Sequence, residues 1–146
     1  MHKYTILVGL IVGFLLTACG AKTASSQPVP TAPPGVTTVD IIYLNHGPVR
    51  SVLTDIDALL EGYGEQIKVT RYDFGTPEGA TFAQSHGLNG HIPLAIFVNG
   101  SIDFTLGERA VKFYSFPQGQ GTGVVPDGAW RIGDLQQVLD QAVGKS

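Results

Sequence analysis

Apolar and polar positions alternate between two rhythms along the chain. Val39 to Leu44 is a dense apolar run rich in β-branched residues, the signature of a buried strand. From Pro48 the apolar residues are Val49, Val52, Leu53, Ile56, Leu59, Leu60 and Tyr63. Steps of three and four put them on one helix face. Pro48 suits a first helical position, and Gly62 and Gly64 stop the helix. Ile67 to Phe74 returns to a strand pattern. Thr76-Pro77-Glu78 is a helix start: a hydroxyl cap, a proline in the first turn and an acid favoured by the dipole. This second helix is expected to stop at Gly87. Leu94 to Val98 predicts a third strand, and Asn99-Gly100 a two-residue hairpin turn into Ser101 to Leu106. Val111 to Phe116 reads as a further strand after a turn at Gly107-Glu108-Arg109. Leu135, Val138, Leu139 and Ala142 predict a last helix starting near Asp134.

The order is βαβα followed by ββα. Alternating strand and helix imply parallel strands with right-handed crossovers, and the hairpin adds antiparallel strands to the same sheet. The expected fold class is therefore α/β, a mixed central sheet with helices on both faces and an insertion at about 107–129 before the last helix. The chain is 146 residues long, one domain's worth. A net charge of −3 with scattered lysines and arginines gives no nucleic-acid surface.

The N-terminal part has a different composition. Thr5 to Leu16 is apolar but too short to span a bilayer, and has the size of a signal-peptide core. Leu16-Thr17-Ala18-Cys19 resembles the bacterial lipobox, in which the cysteine is diacylated and becomes the first residue after cleavage. The resemblance implies a signal peptide at 1–18, a diacylglyceryl-Cys19 anchor in the membrane and a site on the extracytoplasmic side of a bacterial cell envelope. Acyl chains contribute about 0.8 kcal/mol per buried CH2, so several would hold the protein firmly. Residues 19–37 are small, polar and proline-rich, a tether from which the domain at 38–146 is suspended. Cys19 is the chain's one cysteine, so no disulfide is possible within it.

The junction Asn45-His46-Gly47-Pro48-Val49-Arg50 joins the first strand to the first helix. It resembles the thioredoxin family, where a strand ends in Trp-Cys-Gly-Pro-Cys-Lys and the helix begins inside the motif. Gly-Pro and the basic last residue match; His46 and Val49 replace the two cysteines. Gly87-Leu88-Asn89-Gly90-His91-Ile92-Pro93 and the following strand and Asn-Gly turn resemble that family's cis-proline segment, with Pro93 at the cis-proline position. The likeness covers roughly 38–106 and the last helix. The first half is also similar to glutathione-type conjugating folds, but the chain lacks their second helical domain.

What the resemblance implies is a scaffold without its chemistry. Disulfide exchange needs two thiols, one of them a stabilised thiolate. No catalytic residue and no cofactor is therefore expected. The family's peptide-facing positions fall on His46, Gly47, Pro48, His91, Ile92 and Pro93, and these are the expected contacts for a protein or peptide partner. A second reading uses His46 and His91 as metal ligands, or His46 as a general base; two histidines fall short of the three or four ligands zinc needs. No Ser-His-Asp spacing supports the base, and nothing places Ser51 or Asp73 beside it. His86, at the end of the second helix, is expected to point elsewhere. Gly119-x-Gly121-x-Gly123 lacks the Gly-Lys-Ser/Thr of a phosphate loop and reads as a flexible surface insertion. Trp130 reads as packing.

Overall fold

The computed structural model describes residues 35–145. The signal-peptide segment, Cys19 and nearly all of the tether lie outside the described residues. The described elements are β1 (Thr37–Tyr43), α1 (Gly47–Glu61), a 3-10 turn (Gly64–Gln66), β2 (Ile67–Asp73), α2 (Pro77–Ser85), β3 (Leu94–Val98), β4 (Asp103–Leu106), β5 (Arg109–Lys112) and α3 (Ile132–Ala142). The sheet order is β2-β1-β3. β1 runs parallel to β2, with Val39 opposite Val69, and antiparallel to β3, with Ile41 opposite Ile96. The sheet is mixed, and three helices accompany it: a small α/β fold.

The alternation along β3 decides which helix covers which face. Leu94, Ile96 and Val98 join Val39 and Ile41 in a large cluster with Val49, Val52 and Ile56 of α1 and Leu135, Val138 and Leu139 of α3. Ala95 and Phe97 turn the other way, onto Ile42, Ala83 and Phe82 beneath α2. All five residues of β3 are buried, as a strand covered on both faces must be. Helices therefore lie on both faces of the sheet.

The expected pairing of Ser101–Leu106 along β3 is corrected. Asn99 and Gly100 both take positive φ (49° and 78°), and Ser101 bridges Val98, so the hairpin turn forms. The pairing goes no further. A second turn at Gly107 (φ 62°) folds Asp103–Leu106 onto Arg109–Lys112 as a separate two-stranded sheet. The chain then returns: Ile96 N–H donates to the Phe113 carbonyl (3.0 Å) and Ser115 N–H to that of Leu94 (2.9 Å). Phe113 to Ser115 thus occupies the place beside β3 that the pattern assigned to 102–106.

The segment at 117–129 is cross-braced. The Asp127 carboxylate accepts the N–H groups of Gly119 (2.8 Å) and Gly121 (2.5 Å), and Gln120 reaches Asp55 on α1 (3.0 Å). Trp130 is fully buried, edge-on to Phe113, and donates its indole N–H to the Ser115 carbonyl (3.2 Å). α3 starts two residues before Asp134. That carboxylate accepts the Arg131 N–H (2.9 Å) while gripping the Arg109 guanidinium with both oxygens (3.1 and 2.6 Å).

Candidate functional site

β1 delivers the chain to a sharp change of direction. Leu44 N–H donates to the Pro93 carbonyl (2.9 Å), and His46 N–H folds back onto the Leu44 carbonyl (2.9 Å). His46 is extended (φ −138°, ψ 167°) at the cap position of α1, with Pro48 in the first turn. Its ring makes no cap hydrogen bond. The Leu44–Pro93 bond extends the β1–β3 ladder and brings the residues before β3 against the junction. The imidazoles of His46 and His91 consequently face each other, 6.1 Å between centroids and 6° between planes. The structure brings the two rings together with Pro93 in the trans form.

His46 is half-buried, His91 exposed, and Ile92 and Pro93 are buried behind them; Gly47 and Pro48 are exposed. Pro93 departs from the expectation attached to it. The resemblance put a cis-proline there, yet no peptide bond among the described residues is cis. An X–Pro bond favours trans by about 0.5–1 kcal/mol, and the trans chain leads directly into β3 with its carbonyl on Leu44. Among the described residues, nothing hydrogen-bonds to the backbone of His91 or Ile92.

Asn45 Nδ2 donates to Asp73 Oδ2 (3.2 Å), tying together the C-terminal ends of β1 and β2. The same Asp73 carboxylate accepts the Gly75 N–H (2.8 Å). Asp73 is thus occupied in holding the strand ends, and neither Asp73 nor Ser51 contacts His46 by a hydrogen bond. Among the described residues, no group of three or more His, Cys, Asp or Glu side chains stands close enough to hold a metal ion. An ion held by His46 and His91 would draw its remaining ligands from water or a partner. His86 takes no part in the pair. It stacks on Phe82 (4.1 Å), with Nδ1 near the Phe82 carbonyl (2.9 Å).

The periodicity did not reveal an aromatic face beside α2. Tyr72 and Phe82 stack at 4.0 Å, Phe82 continues to His86, and Tyr72 and Phe82 line an open depression of about 490 Å³ with Pro77, Glu78, Thr81 and Ser85. The residues come from a strand and a helix, so no local spacing announces them. No described helix is long and apolar enough to cross a membrane. No protein-family model matches the chain, and no curated protein matches it.

Proposed function

We propose that this chain is a lipid-anchored, thiol-free relative of the thioredoxin fold that binds a protein or peptide partner at the cell envelope, an assembly module or accessory subunit of a membrane complex. Cys19, diacylated, is the anchor, and the proline-rich tether sets the domain off the membrane. The partner contacts are His46, Gly47 and Pro48 on one side and His91, Ile92 and Pro93 on the other.

The observation that carries this reading is the apposition of the β1–α1 junction with the His91–Pro93 segment, in which the backbone groups of His91 and Ile92 have no hydrogen-bond partner among the described residues. Extended peptides are captured by free backbone groups of this kind beside shaped side chains. The chain's single cysteine lies at position 19, so the place where that fold carries a dithiol holds His46 and Val49. Purification from membranes in mild detergent tests the proposal: a stoichiometric partner lost on His46→Ala supports it, and a lone monomer contradicts it.

A second reading rests on the 6.1 Å separation of the two rings. His46 and His91 would then hold a transition-metal ion or support histidine-dependent chemistry. Unchanged metal content and activity in a His46→Ala variant would eliminate it.

A further inference from the structure

β2 forms one end of the main sheet. It pairs with β1 alone, and no other described residue bridges it. Phe74 N–H donates to the Tyr43 carbonyl (2.8 Å), which fixes the phase of this strand. Successive backbone amides in a strand point to opposite edges. Residues 68, 70 and 72 therefore turn their N–H and C=O groups to β1. Val69 and Arg71 turn theirs outward, where no described residue meets them.

A depression flanks this open edge on each face of the sheet. On the α1 side, Ile67, Val69 and Arg71 border a hollow of about 340 Å³ with Asp57 and Glu61 across it. On the α2 side lies the 490 Å³ hollow floored by Tyr72 and Phe82. The first is acidic. Asp57 pairs with Arg71, while Glu61 has no ion-pair partner among the described residues, so one negative charge is left over. The second is aromatic, and Lys68 lies on its face of the strand.

We propose that the open edge of β2 accepts an extended peptide from a partner protein as an added strand. The partner segment carries a basic side chain toward Asp57 and Glu61 and, at odd spacing from it, an apolar side chain toward Tyr72 and Phe82. Backbone pairing with Val69 and Arg71 supplies affinity, and the two hollows read alternate side chains. The chain's own Gln27–Pro34 segment is a poor occupant, because its four prolines offer no N–H to the ladder. This surface is separate from the His46–His91 junction and does not depend on it.

The test titrates the full-length protein in detergent micelles with a blocked octapeptide of alternating lysine and valine, followed by amide NMR shifts and calorimetry. The expected result is saturable shifts centred on residues 67–73. Val69→Pro removes an outward donor while leaving the bonds to β1 in place, and weakens binding about tenfold. Glu61→Lys weakens it about fivefold, and His46→Ala leaves it unchanged. An octapeptide of alternating glutamate and valine binds more weakly, and the fully N-methylated lysine–valine peptide does not bind. Should Val69→Pro fail to fold, Glu61→Lys and the methylated peptide still decide. The proposal is overturned if millimolar peptide leaves the β2 amides unmoved, if the methylated peptide binds equally well, if His46→Ala abolishes binding, or if sedimentation shows two copies of the chain already joined through this edge.

Discussion

The imidazole of His46 lies parallel to that of His91, 6.1 Å away between centroids, although forty-five positions separate them in the chain. The Leu44–Pro93 hydrogen bond and the β1–β3 ladder behind it hold the two segments in register. Neither histidine belongs to a buried core cluster, and His46 makes no cap bond. His46→Ala and His91→Ala should therefore each change unfolding free energy by no more than about 0.5 kcal/mol. Urea melts of the two variants check this. A larger loss would mean that the pair holds the fold together and does not serve a partner.

Tyr63 closes the far side of the molecule. Its hydroxyl meets the Asp140 carboxylate (2.9 Å) and the Gln136 carbonyl (3.1 Å), linking the end of α1 to α3. Burial first, then the Asp140 hydrogen bond and charge, push the phenol above its ordinary range. The folded state therefore holds this proton more tightly than the unfolded state. Stability from Tyr63 is complete below the unfolded pKa of about 10 and falls as pH rises beyond it. Thermal melts from pH 8 to pH 11 should show this alkaline decline. In Tyr63→Phe the decline should be shallower, with a loss of about 1 kcal/mol at pH 7.

Gly79 packs in the first turns of α2 directly against the Asp73 carbonyl, which a Cβ would strike. Gly79→Ala should destabilise by about 1–3 kcal/mol, although alanine is the better helix former. Because Asp73 also holds Asn45, amide shifts at Asn45 should move with it. A stabilised Gly79→Ala protein would contradict this packing.

Trp130 is the chain's single tryptophan and is fully buried against Phe113. Its emission should be blue-shifted and shielded from iodide in the native state, then red-shifted on unfolding. Trp130→Phe should cost about 2–4 kcal/mol, since it leaves a void and the Ser115 carbonyl without its donor.

Much of the fold was legible because the chain's periods are local. The α1 face from Val49 to Leu60 follows from three-and-four spacing, and Thr76 caps α2 through its hydroxyl as its place before Pro77-Glu78 suggests (3.1 Å to Gly79 N–H). β3 falls on Leu94–Val98 because an uninterrupted apolar run suits a strand covered on both faces. Sheet membership was less legible. Ser101–Leu106 has strand character wherever it pairs, and only the return of Phe113 to Leu94 and Ile96 decides that it pairs elsewhere. That His46 and His91 could approach was suggested only by the resemblance, and the peptide geometry at Pro93 was not legible, since cis and trans prolines are written with the same letter. The stack of Tyr72 on Phe82 is a long-range contact with no periodic trace.

The central claim is that the His46–His91 junction holds a partner. A photoreactive benzoylphenylalanine placed at the exposed position 91 and irradiated in native membranes tests it most directly, with the same residue at exposed position 145 as control. The account predicts one discrete adduct from position 91, diminished by His46→Ala and absent from position 145. No adduct from position 91, or equal labelling from both positions, would contradict it.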